Sequence, residues 1–346
     1  MILARRHVTL LLNALHETGK HRITVKHPCG DVGELLRVRL ADPFESTVRF
    51  TQSLSEYVDT RGVIQREYGP DAHDDLPDDS AYVRSLVASG VLDISNRDEV
   101  TEFVHRHGYR DLEAGHPPVI AGIDANIMPW DMGSVLGIDH VTGGTDDADR
   151  SPTNGYALAT GVKEELDWHY NQYQTASLVN AFGEEFERVD NQPAGNNREG
   201  FLGLYEFRRL MADRNVDLVD CETGDENIVE AYRAFASESR KDVVLFSNDF
   251  GFIDLASDAA VPAQHVDFPR TLPRKTTASW DDIADLVYYL TIRFGVLKLP
   301  GATLYGVWNG KDGRHWQHEE LVVEPRSPKV EAALQRDQKI VDAFDN

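Results

Sequence analysis

Apolar and polar positions follow one another along this chain in two different patterns, and the change falls near His116. Before it, Leu10, Leu11, Leu12 and Leu15 recur at the spacing of a short helix, while HRITVKHP and ELLRVRLADP alternate with the period of two that predicts half-buried strands. YGPDAHDDLPDDSAYV (68–83) interrupts the alternation with acids and prolines. It reads as an exposed loop, either simply solvated or used to dock a protein. SNRDEVTEFVHRHG (95–108) predicts a capped helix that closes this region.

After His116 the apolar runs are continuous. Val119 to Ile123 and Val243 to Phe246 are short and uniformly apolar, as strands buried on both faces are, and VDLVD (216–220) predicts a further short strand. Helical spacing lies between them, in GVKEELDWHYNQYQTASLVNAF (161–182), FLGLYEFRRLMAD and DENIVEAYRAFASES. Strands and helices in alternation predict α/β architecture, a parallel sheet with helices on both faces. Two Gly/Asp/Asn-rich insertions, 139–155 and 187–200, punctuate it. Further on, WDDIADLVYYLTIRFGV (280–296) has the spacing of an amphipathic helix, ATLYGVWNGKDGRHWQHEELVVE predicts a hairpin turned at Asn309 to Gly313, and PKVEAALQRDQKIVDAF predicts a terminal helix. The expected organisation is an N-terminal α+β region (1–112), an α/β domain (116–296) and a C-terminal hairpin and helix (297–346).

Composition adds two constraints. The 58 acidic residues outnumber the 35 basic ones for a net charge of -23, only nine of the basic residues are lysine, and the acids are spread through every segment. Such a surface is expected of a halophilic, archaeon-like protein in a salt-rich cytoplasm. Acidity ordinarily argues against nucleic-acid partners, but at molar salt the Debye length shrinks to ~3 Å and only local contacts count. Cys29 and Cys221 form no disulfide framework and no zinc-type pair, and no apolar run approaches the ~18 residues of a membrane span. A soluble, cytoplasmic protein without a membrane partner is expected.

Two of the apolar strands deliver a carboxylate at their tips, Asp124 and Asp249. In parallel α/β sheets ligands sit beyond the carboxyl ends of the strands. Asp225, at the helix start after VDLVD, and Glu165, near the start of the helix after TNGYALAT, would reach the same rim. Each has an ordinary reading: Asp225 and Asp249 as helix N-caps, Glu165 as an i, i+4 partner of His169. Gathered together they are another matter, because two carboxylates ~4 Å apart repel by about 4 kcal/mol at an effective dielectric of 20. A divalent cation relieves that repulsion, and an all-oxygen set suits Mg²⁺ or Mn²⁺ better than zinc.

GIDANIM, VKEELDWH, DENIVEAYRAF and VVLFSNDFGF, in that order, resemble the four acidic blocks of PIN-domain nucleases. Asp124 matches the first acid and Asn126 the polar position two residues on. Glu165 matches the Glu-Leu acid, with Glu164 beside it. Asp225 matches the third, followed by Ile228 and Ala231, and Asp249 the last, preceded by Ser247 and Asn248. The likeness covers roughly residues 117–270. It implies a PIN-like three-layer α/β/α fold and a metal-dependent ribonuclease that hydrolyses RNA with Mg²⁺ or Mn²⁺ and leaves the phosphate on the 5′ side. Asp124 and Asp249 would be direct ligands. Glu165 and Asp225 would hold a second ion or its waters, and Asn126 or Ser247 would position the phosphate. The chain departs from the family at Gly251, where many members carry a further acid; this leaves open a catalytically inactive PIN-like scaffold that binds RNA or a protein partner. A haloacid-dehalogenase reading fails because Asp124-Ala125-Asn126 lacks the second aspartate. A homodimer stays open, as does an antitoxin-type partner, which the length of the chain disfavours.

Lys275 and Arg274 in LPRKTTASW follow the last predicted strand and are candidates for phosphate contact. WNGKDGRHWQH (308–318) reads as a turn with packed tryptophans, or as a basic and aromatic surface for nucleic acid. Trp168, Tyr170 and Tyr173 read as helix packing, and His105, His107 and His116 as surface histidines.

Overall fold

The computed structural model describes residues 1–138, 152–174 and 176–344. The chain is mixed α/β and divides into two compact units. One comprises residues 93–171 and 199–268; the other comprises 1–92, 172–198 and 269–346. These units cut across the expected boundaries. The helix at 95–108 belongs with the α/β unit, whereas 172–198 and the helix at 280–294 belong with the other.

The first unit is built on a five-stranded sheet. Its strands are β1 (Val119–Ile123), β2 (Tyr156–Ala159), β3 (Val216–Val219), β4 (Asp242–Ser247) and β5 (Ala263–His265). Its helices are α1 (Arg97–His107), α2 (Met132–Val135), α3 (Thr160–Tyr170), α4 (Glu199–Asp213), α5 (Asp225–Ser239) and α6 (Phe250–Asp258). All pairings are parallel, in the spatial order β5-β4-β1-β2-β3. The chain runs outward from β1 through β2 to β3, then returns to the other side of β1 for β4 and β5. The direction of winding therefore reverses between β1 and β4, and such a switch point opens a crevice at the strands' carboxyl ends. Continuous apolar runs make β1 and β2 because both faces are buried: every residue of these two strands is, whereas the edge strand β3 carries Asp217 and leaves Leu218 exposed. Gly122 is required by that packing, since a Cβ there would lie 2.5 Å from Leu245 and 3.0 Å from Tyr232.

The second unit carries an eight-stranded antiparallel sheet whose order is Ile2–Ala4, Glu320–Pro325, Ala302–Tyr305, Val296–Leu299, Arg22–Lys26, Glu34–Asp42, Glu45–Phe50, Lys275–Ala278. The predicted strands at 22–26 and 34–42 and the terminal helix, Pro328–Phe344, are all present. The predicted loop at 68–83 is not a loop. Gly69 at φ +90° and Pro70 end one helix and start another, Pro70–Asp75, and Asp78 then caps Asp79–Ala88 by accepting from the Ala81 N–H. Within that acidic run Asp75 is fully buried. Its Oδ1 accepts from Arg198 Nη2 at 2.6 Å, and Arg198 also donates to Pro193 O and Arg293 O.

The predicted hairpin pairs Ala302–Tyr305 with Glu320–Pro325, but its connection contains a short helix, Gly313–Gln317, capped by Asp312. Lys311 is buried there, donating to Gly306 O and Glu320 O and lying 3.6 Å from the centre of the Trp316 ring. It is a buried structural lysine enclosed by tryptophan and not a phosphate contact. Among the described residues no helix is long and apolar enough to cross a membrane.

Candidate functional site

The carboxyl ends of β1 and β4 are joined by a short chain of hydrogen bonds. Register places Ile123 beside Phe246, so Asp124 and Ser247 end their strands level with each other. Asp124 N–H donates to Phe246 O at 3.2 Å, and Ser247 Oγ donates to Asp124 Oδ2 at 2.6 Å. Asn126 Nδ2 donates to Ser247 Oγ at 3.2 Å and its Oδ1 accepts from the Asn248 N–H at 3.2 Å. Asp249 N–H donates to Ser247 Oγ at 2.9 Å, and Asn248 Nδ2 to Val266 O at 2.6 Å. The first and last acidic blocks thus form one network, with Ser247 at its centre.

The other two acids come from the helices that follow β2 and β3. Glu165 lies in the second turn of α3, and its Oε1 accepts from the Gly224 N–H at 3.1 Å, tying α3 to the loop before α5. The cap position of α5 is Gly224 at φ +100°, so Asp225 is the first helical residue and not the cap. Asp249 does cap α6, accepting from the Gly251 N–H at 2.7 Å. Tyr232 steadies the end of β2 by donating to Ala157 O and accepting from Ala159 N–H, and Thr160 Oγ1 bonds both backbone groups of Cys221. Neither residue stands out in the sequence, because a buried tyrosine on a helix looks like ordinary core.

Electrostatics links the acids. Asp124 is only 4% exposed. Burial pushes its pKa up from 3.8 to about 7; Asp225 and Glu165 push the same way, against hydrogen bonds from Ser247 and Ala125. Burial and then Asp225 raise Glu165, although Gly224 and His169 oppose the shift. Burial and then Asp249 raise Asp225. Carboxylates that disfavour one another's ionisation are spread along a single rim. The donor set is all oxygen, which suits a hard divalent cation. Among the described residues, however, no three His, Cys, Asp or Glu side chains are gathered closely enough to hold a metal ion, so the coordination shell is not closed in this arrangement.

Lys275 opens the Lys275–Ala278 strand, which pairs with Glu45–Phe50 in the antiparallel sheet of the other unit; it is no part of the sheet that bears the carboxylates. The helix expected to run from 161 to 182 stops at Tyr170, and Tyr173 falls in a two-residue strand of the other unit. Trp168 is 60% exposed and is not a core residue. Most of the 139–155 insertion and the Tyr170 side chain lie outside the described residues. A cleft of about 550 Å³ lined by Arg110, Arg233, Lys241 and Pro262 lies at the amino ends of β4 and β5 and includes none of the four acids.

Gly161 brings α3 close to the loop after β3: a Cβ there would meet Glu222 O at 2.4 Å. Gly161→Ala should therefore separate the elements that carry Glu165 and Asp225. The expected result is a loss of ~1–3 kcal/mol in urea unfolding, as for other overpacked sites. No protein-family model and no curated protein matches the chain.

Proposed function

We propose that this protein is a metal-dependent ribonuclease of the PIN type, with a three-layer α/β/α nuclease domain that hydrolyses RNA phosphodiester bonds. The observation that carries the reading is placement: Asp124, Glu165, Asp225 and Asp249 follow four successive strands of one parallel sheet and stand at its carboxyl ends, two of them flanking the switch point. Asp124 and Asp249 would hold a Mg²⁺ or Mn²⁺ ion, with Glu165 and Asp225 on a second ion or its waters. A bound cation supplies hydroxide at neutral pH and neutralises charge on the leaving oxygen. Ser247 holds Asp124 in one orientation by its 2.6 Å hydrogen bond, and Asn126, which donates to Ser247 Oγ in the same network, would position the phosphate.

The test is cleavage of labelled RNA in molar KCl with Mn²⁺. Wild type should cleave and Asp249→Asn should not; equal rates would remove Asp249 from the mechanism. One observation favours a second reading, an RNA-binding scaffold without activity: Gly251 stands where a further acid would complete the set, and its N–H already occupies Asp249 Oδ1.

The pKa of Asp124 sets a pH dependence. Below about pH 4 its carboxyl is protonated in folded and unfolded chains alike. Between its ordinary value of 3.8 and its folded value of about 7 only the unfolded chain ionises, so stability falls as pH rises, and above 7 the full cost remains. Mn²⁺ should offset that cost, raising the melting temperature more at pH 8 than at pH 5.

A further inference from the structure

Phe250 follows Asp249 directly, yet its ring is 63% exposed. It does not fold back into the core as Phe252 does, two residues later. It lies flat on the His265 imidazole instead, with ring centres 3.8 Å apart and planes 8° from parallel. That imidazole is fixed in turn: His265 ends β5, its Nε2 donates to Asn248 O at 3.1 Å, and its own carbonyl accepts from Asn96 Nδ2 at 2.8 Å. The outcome is a two-ring stack between the first residue of α6, directly after Asp249, and the last residue of β5. The Phe250 ring is thus both exposed and fixed against a hydrogen-bonded imidazole, the two properties that a surface for a flat ligand needs.

Sheet order locates a second ring. Along the carboxyl rim the sequence of groups is His265 from β5, Phe250 after β4, Asp124 after β1, then α3 after β2. On α3, Trp168 lies one turn beyond Glu165 on the same helical face and is 60% exposed. In the order of the sheet, exposed aromatic rings therefore lie on either side of Asp124. Bases present π-faces to such rings only when they are unpaired, and stacking on aromatic side chains tolerates any base. It also survives molar salt, where contacts from cations to phosphates fade.

We propose that the Phe250–His265 stack is a base platform that restricts this site to single-stranded nucleic acid, with a base seated on Phe250 and the adjoining phosphate at Asp124. This rests on the hydrolase reading for the role of the phosphate, but stacking can be measured without cleavage.

The experiment is fluorescence anisotropy with a labelled single-stranded 12-nucleotide RNA and its duplex, in molar KCl with no divalent cation, on wild type, Phe250→Ala and Phe250→Trp. Wild type should bind the single strand, Phe250→Ala about tenfold more weakly, and Phe250→Trp as well as wild type, with duplex binding the same for all three. Unchanged single-strand binding by Phe250→Ala, or an equal loss with the duplex, would overturn the platform. So would Phe250-dependent self-association in sedimentation, which would make a second copy the occupant. Cleavage of the same RNA with Mn²⁺ separates the two readings. Equal cleavage by wild type and Phe250→Ala sinks the platform and leaves the hydrolase, whereas Phe250-dependent binding without cleavage sinks the hydrolase and leaves the platform.

Discussion

Asp124→Asn should lower RNA cleavage by roughly 10³-fold or more and at the same time make the protein more stable at pH 8. Activity falls because the carboxylate at the switch point is lost. Stability rises because wild type holds an ionised carboxylate where burial and two neighbouring acids push its pKa to about 7. Converted to free energy, that shift is a cost on the order of 4 kcal/mol above pH 7. Asn keeps an oxygen for Ser247 Oγ, which now donates at 2.6 Å, and removes the charge. The stabilisation should vanish at pH 4, where the wild-type carboxyl is already neutral. Thermal melts at both pH values and a cleavage assay check both halves; a variant less stable at pH 8 would mean that Asp124 is a structural acid.

The largest expected loss of stability lies in the other unit. Arg198 and Asp75 are both fully buried and joined at 2.6 Å, and Arg198 also links the carbonyls of Pro193 and Arg293. Removing either partner strands a charge in the interior. Arg198→Ala and Asp75→Ala should each cost ~3–5 kcal/mol. An apolar pair, Arg198→Met with Asp75→Leu, should cost less than either single change, because no charge is then left unpaired. Urea unfolding of the four proteins decides the point, and a double variant as damaged as the sum of the singles would contradict it.

Much of the parallel-sheet unit was legible in the sequence because strands buried on both faces must be apolar throughout. Val119–Ile123 begins and ends where the run does, and the acids immediately after the runs therefore mark the strand ends. The helices at 225–239 and 250–258 were equally plain. Charged residues that end inside the protein were not. YGPDAHDDLPDDSAYV reads as an exposed loop and 187–200 as a polar insertion, yet each supplies one half of the Asp75–Arg198 pair across more than a hundred residues of sequence. A buried charge leaves no local pattern; only its partner reveals it. WNGKDGRHWQH has the composition of a nucleic-acid surface, yet its lysine is enclosed by tryptophan, in line with the reading of a turn with packed tryptophans. Within the site, Asp124, Asn126, Ser247 and Asp249 could be named from their blocks. Lys275 could not be placed, because a strand of four residues at a sheet edge says nothing about which sheet it joins. Phe250 was visible as an aromatic beside an acid, but His265, its support, carries no signal of its own.

Calorimetric titration of Mn²⁺ into the wild-type protein in molar KCl shows whether these carboxylates hold a cation. Saturable uptake is predicted at pH 8, about tenfold weaker at pH 6 where a group titrating near 7 is mostly protonated, and absent in Asp124→Asn. No uptake at pH 8, or uptake undiminished by Asp124→Asn, would contradict a cation held by these carboxylates.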